Sequence, residues 1–148
     1  MLTLQIALGS GILAICTIGH VTITSIGIPF LQRLVKSIDR QSRLWTPTLL
    51  TGGAAVIVAA HTVQIWLWAI AFWGLDALPT LEASFYFAFV TYTTLGYGDL
   101  TLGEGLRNFG AFAAITGLLS FGISTAILIG IVGRVLPELR KRPLERVS

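Results

Sequence analysis

The sequence is poor in charge. Asp, Glu, Lys and Arg together supply 11% of its 148 residues, and none occurs before Arg33. Soluble domains carry roughly a quarter of their residues as charged side chains, so the composition argues against a soluble globular class. Cys16 is the single cysteine and lies in an apolar stretch, so an intrachain disulfide is impossible and cysteine usage says nothing of redox compartment. No internal repeat, low-complexity tract or basic leader with a small-residue cleavage site is present, and the chain is expected to be retained from Met1. No nucleophile, base and orienting group fall together, so neither catalytic residues nor a cofactor are expected.

What the sequence does contain is apolar. Hydrophobic residues make up 54%, and the mean hydropathy is +0.81. About 20 apolar residues cross a bilayer as a helix. Three uncharged runs are long enough: Met1 to Gln32 with Pro29 near its end, Leu44 to Leu75, and Asn108 to Gly133, which Pro137 is expected to close. Pro47 suits the first turn of the second run. Trp66, Trp68 and Trp73 crowd its second half, as at a membrane interface. Between the second and third runs, Ala83 to Gly98 is uncharged but only 16 residues long. It cannot span. With Pro79 at the first helical position and Glu82 in the first turn, residues 80–93 read as a short re-entrant helix.

Nine of the 10 basic residues fall in two places: Arg33, Lys36, Arg40 and Arg43 after the first run, and Arg134, Arg140, Lys141, Arg142 and Arg146 in the tail. Three crossings put both on one side. The other side carries Asp76, Glu82, Asp99 and Glu104 against Arg107 alone. Excess Lys and Arg mark the cytoplasmic face, so loop 33–46 and tail 134–148 are expected on the cytoplasmic side of the cell inner (plasma) membrane, with the N-terminus outside. The net charge of +3 thus reflects topology and not a nucleic-acid surface. Arg140-Lys141-Arg142 is a further candidate for anionic lipid.

One segment demands a specific chemistry: Thr93-Thr94-Leu95-Gly96-Tyr97-Gly98-Asp99. For successive carbonyls to point to one side, backbone dihedrals must alternate between right- and left-handed regions. Glycine visits the left-handed region without steric cost. Gly96 and Gly98 therefore permit a column of carbonyls from Thr94 to Tyr97, with the Thr94 hydroxyl as a further oxygen. Such a column suits a bare monovalent cation.

Thr94-Leu95-Gly96-Tyr97-Gly98-Asp99 resembles the selectivity filter of potassium channels. Gly117-Leu118-Leu119-Ser120-Phe121-Gly122 is similar to the inner helix of the bacterial two-transmembrane members. The resemblance covers roughly Pro47 to Gly133. It implies an all-α membrane protein with three transmembrane helices, a re-entrant pore helix and a filter, assembled as a homotetrameric pore. It divides the chain into an extra N-terminal helix (1–32), a basic loop (33–46), a pore domain (47–133) and a basic tail (134–148). Within the pore domain lie pore helix 80–93, filter 94–99 and inner helix 108–133. It further implies that Thr94, Leu95, Gly96, Tyr97 and Gly98 coordinate K+ as permeant ion, supported by Thr93 and Asp99. Gly117 falls at the family's hinge, and Phe121, Thr125 and Ile129 at pore-facing positions, Ile129 as a hydrophobic constriction. Gly117, Gly122 and Gly130 equally suit close helix packing.

Departures are instructive. Leu95 replaces the usual valine or isoleucine and loosens the packing behind its carbonyl. Val90 stands where some relatives pair a glutamate with the filter acid, so Asp99 is expected to lack that partner. Tyr86-Phe87 replaces a tryptophan pair; with Phe85 and Tyr92 these rings are expected to pack around Tyr97. The first helix goes beyond the two-helix pattern, without the arginine series of a voltage sensor.

His20 and His61 lie mid-helix, at roughly 17 and 21 Å from the cytoplasmic ends at ~1.5 Å per residue. Gln64 shares a face with His61. The pair reads as a hydrogen-bonded pin between the first two helices, a proton sensor, or, with a poor ligand set, a metal site. The overall reading is passive conduction of K+; a weakly selective cation pore and a non-conducting accessory or scaffold subunit are the alternatives.

Overall fold

The computed structural model describes residues 2–36 and 44–141. Expectations for Arg40, Arg43, Arg142 and Arg146 lie outside the described residues. The described chain forms four helices: α1 (Leu2–Val35), α2 (Trp45–Gly74), α3 (Leu81–Tyr92) and α4 (Arg107–Lys141). α1, α2 and the 107–133 stretch of α4 are long and apolar enough to cross a membrane. The protein is an all-α, multi-pass membrane protein. At 12 residues, α3 is about 18 Å long, short of the ~30 Å hydrocarbon core.

Helix ends follow local chemistry. Pro47 occupies the first turn of α2, where amides have no intrahelical acceptor. Thr80 caps α3: its hydroxyl accepts from the Ala83 amide at 3.1 Å. Pro79 therefore precedes the cap and is not the first helical residue, while Glu82 does lie in the first turn. α4 runs through Pro137 to Lys141, eight residues beyond Gly133. A proline removes one backbone hydrogen bond and need not end a helix.

Small residues let the helices approach. A Cβ on Gly27 would lie 2.7 Å from Val56, and one on Gly52 2.6 Å from Leu31, so α1 and α2 interlock by side chains seated over glycines. The Phe112 ring of α4 fills the space over Gly9 of α1. The main core joins α2, α3 and α4 around Trp68, Phe72, Tyr92 and Phe109, with Cys16 from α1. Trp68 is fully buried, 5.6 Å from Phe72 and 5.4 Å from Phe109 between ring centres. It is a core residue, whereas Trp66 and Trp73 are exposed. A second cluster of Val35, Leu49, Ile131 and Val135 closes the opposite end.

Candidate pore site

The site begins where α3 stops. The amides of Leu95 and Gly96 both donate to the Val90 carbonyl, at 3.0 and 3.3 Å, and the Thr94 amide donates to Thr91 at 2.9 Å. These bonds satisfy carbonyls that a helix end otherwise leaves open. They also orient the strand that follows. In a planar trans peptide, N–H and C=O point in opposite directions. With the amides of 94, 95 and 96 turned back to α3, the carbonyls of Thr93, Thr94 and Leu95 point away from it.

Left-handed backbone occurs at every second residue: Thr94 (φ 59°), Gly96 (φ 57°) and Gly98 (φ 78°). The two glycines adopt the alternation their spacing calls for. Thr94 extends it one step earlier, at a β-branched residue where the left-handed region costs roughly 1–2 kcal/mol. The hydrogen bonds to Thr91 and Val90 hold that strain in place. Sequence reasoning missed the third position because threonine carries no signal for positive φ.

At the far end of the segment, the Tyr86 hydroxyl donates to Asp99 Oδ2 at 2.7 Å. Asp99 lacks the glutamate partner, as Val90 implies, but has Tyr86 as a side-chain partner in its stead. The phenol one turn before Val90 takes the place of the missing carboxyl. This hydrogen bond holds the Asp99 carboxyl below its usual range, against a smaller opposing effect of burial. The expected aromatic packing around Tyr97 is absent within the described residues: Phe85 packs on Trp66 (4.6 Å), Phe87 on Phe72 (5.1 Å), and Tyr92 on His61 and Phe121 (5.9 and 5.8 Å). Of these neighbours Phe72 is buried, whereas Trp66 and Phe121 are exposed. Tyr97 and Leu95 stay 67% and 54% exposed in the single chain.

On α4, Phe121, Thr125 and Ile129 all lie on an exposed face, Ile129 at 67%. Gly117 lies against α3: a Cβ there would overlap the Tyr92 carbonyl oxygen and approach the carbonyl carbon to 2.8 Å. Gly122 and Gly130 have nothing within 4 Å within the chain.

His20 and His61 come together with ring centres 5.0 Å apart. Neither contacts the other directly by hydrogen bond; Ser124 Oγ stands between them, 3.0 Å from the Nε2 of each. Gln64 serves His20 and not His61: its amide nitrogen is 2.7 Å from His20 Nδ1. His61 Nδ1 is 2.7 Å from the Tyr92 hydroxyl, and His61 stacks on Phe121 at 4.5 Å. The Ser120 hydroxyl donates to Gln64 Oε1 at 2.8 Å. The pair thus engages α3 and α4 as well as α1 and α2. Among the described residues no group of three or more His, Cys, Asp or Glu side chains is gathered for a metal ion. Tyr92, Ser120 and Ser124 were missed from sequence. The signal was present: Ser120 and Ser124 are one helical turn apart, as are His61 and Gln64, on otherwise apolar surfaces.

The geometry so far is a short helix ending inside the bundle, an alternating backbone with carbonyls turned outward, and an acid at its end. Non-helical backbone at membrane depth is tolerated where it lines a watered path. Neither a curated protein nor a solved structure matched the chain. A family model described as an ion channel matches residues 48–134, which holds α3, the alternating segment and the spanning part of α4. The chain belongs to this ion-channel family.

Proposed function

We propose that the protein is a potassium-selective channel in which four copies bring residues 94–98 around one axis. The observation that carries this reading is the left-handed backbone at Thr94, Gly96 and Gly98. Alternation of that kind directs successive carbonyls to one side, where they replace a cation's water shell. One chain supplies one wall of such a column, so a closed ring requires further copies. Leu95 and Tyr97, on the non-helical segment, are exposed in the single chain and are the groups that further copies would cover. The C-terminus of α3 adds partial negative charge facing the ion path. In this reading the basic loop and tail are cytoplasmic, the N-terminus and Asp99 are external, and Ile129 is the inner constriction. Arg140, Lys141 and Arg142 are the candidates for anionic headgroups.

The test is flux. Purified protein in liposomes should take up K+ down an inward K+ gradient, largely exclude Na+, and be blocked by Ba2+, a divalent ion of similar size. Equal uptake of Na+ would favour the weakly selective pore that loose packing behind Leu95 would produce. No flux of either ion, at several pH values and both voltage signs, would favour an accessory subunit.

A further inference from the structure

Six side chains, the two histidines among them, form a ring in which five links are hydrogen bonds. The Gln64 amide nitrogen faces His20 Nδ1, which therefore accepts. His20 Nε2 then carries the proton and donates to Ser124 Oγ. Ser124 has one hydroxyl hydrogen, which it donates to His61 Nε2. His61 Nδ1–H is left to donate to the Tyr92 hydroxyl. Tyr92 interacts in turn with Ser120, and Ser120 donates to Gln64 Oε1. Along these bonds Gln64, His20, Ser124 and His61 each accept once and donate once. The second Gln64 hydrogen goes to the Ala60 carbonyl, at 3.4 Å, which fixes the direction. Five of the six side chains are buried, with exposures of 4% or less, so each lost bond strands a polar group without water.

The ring draws on every helix: His20 from α1, His61 and Gln64 from α2, Tyr92 from α3, Ser120 and Ser124 from α4. Tyr92 is the last residue of α3 and stands two residues before the left-handed Thr94. We propose that this ring positions the foot of the pore helix, so that His20 on the N-terminal helix and Ser124 on the inner helix set the geometry of the first filter oxygens. α1 is then a working part of the pore. The ring also ties the inner helix to the filter, because α4 cannot shift at Ser124 without pulling on the Tyr92 hydroxyl through His61. The ionisable groups around the imidazoles are Cys16 from α1, Tyr92 from α3 and each other; α4 contributes only hydroxyls, and the sequences of α1, α2 and the adjoining part of α4 hold no acid. A proton added to either ring would turn its one accepting nitrogen into a donor facing another donor.

This proposal rests on the potassium reading for one readout only. In liposomes, Tyr92→Phe and Ser124→Ala should each lower the K+ over Na+ flux ratio roughly tenfold, the factor one lost buried hydrogen bond is worth, while the assembly stays intact by size. His20→Gln, which keeps a donor and an acceptor, should retain most of the ratio that His20→Leu loses. In detergent, the thermal effects of His20→Leu and Tyr92→Phe should be non-additive, although the two residues share no direct bond. Wild-type flux should be flat between about pH 5 and 8, where perturbed histidines titrate. Unchanged ratios in assembled Tyr92→Phe and Ser124→Ala would overturn the proposal. So would wild-type flux that switches with pH and loses the switch in His20→Gln, which would make the ring a proton sensor. Equal K+ and Na+ flux in wild type would sink the potassium reading alone. The ring would then be judged by total cation flux per assembled pore, which the same variants must lower.

Discussion

Gly117→Ala separates two readings of one residue. In an isolated helix alanine is favoured over glycine by about 0.5–1 kcal/mol, so a glycine kept only for bending should give a more stable variant. The structure reverses the sign. A methyl group at 117 would overlap the Tyr92 carbonyl, which is backbone and not the end of a flexible side chain. Tyr92 or α4 must retreat by on the order of 1 Å, and overpacking of that kind costs about 1–3 kcal/mol at each site. Tyr92 also carries the His61 hydrogen bond and leads directly into Thr93 and Thr94. The variant should therefore melt lower than wild type and lose K+ over Na+ discrimination. Thermal denaturation of the detergent-solubilised assembly and flux in liposomes check both. An assembly that melts at or above the wild-type temperature, keeps its selectivity and only opens less often would refute the contact argument and leave Gly117 as a hinge.

Other positions test other contacts. Gly9→Ala, which meets the Phe112 ring, should destabilise by roughly 1–3 kcal/mol, whereas Gly11→Ala, with nothing within 4 Å, should be neutral or slightly stabilising by thermal denaturation. Equal melting of the two would mean that α1 does not seat on α4 as described. Tyr86→Phe removes the hydrogen bond that lowers the Asp99 pKa, so that pKa should rise toward the ordinary aspartate value. A depressed carboxylate contributes stability present above its unfolded pKa and lost as pH falls through its folded one; the variant should lose cation flux at a less acid external pH than wild type, and coincident acid limbs would contradict the assignment. Thr94→Gly relieves a left-handed threonine worth roughly 1–2 kcal/mol and should melt no lower than wild type, while its flux falls with the loss of a hydroxyl oxygen. A much lower melting temperature would show that Thr94 is not strained.

The left-handed glycines and the long apolar helices were legible because each follows from a local rule. Uncharged length gave α1, α2 and α4, and the spacing of Gly96 and Gly98 gave the left-handed positions. Side-chain partners were less accessible. Tyr86 reaches Asp99 across 13 residues, and His61 reaches Ser124 across 63. Such distances are set by how four helices pack, which helical periodicity does not specify. Trp68 shows the same limit: composition placed it with its neighbours at an interface, but its direction on α2 turns it into the core. Pro137 failed as a stop signal because a proline weakens a helix without obliging it to end.

The central claim is that residues 94–98 select potassium. Its most direct test is the reversal potential of purified protein in a planar bilayer, with K+ on one side and Na+ at equal concentration on the other. The carbonyl column predicts a potential displaced far toward the potassium equilibrium value, and Gly98→Ala should abolish that current or its selectivity, since alanine at φ 78° is strained in every subunit. A wild-type reversal potential near zero would contradict the account.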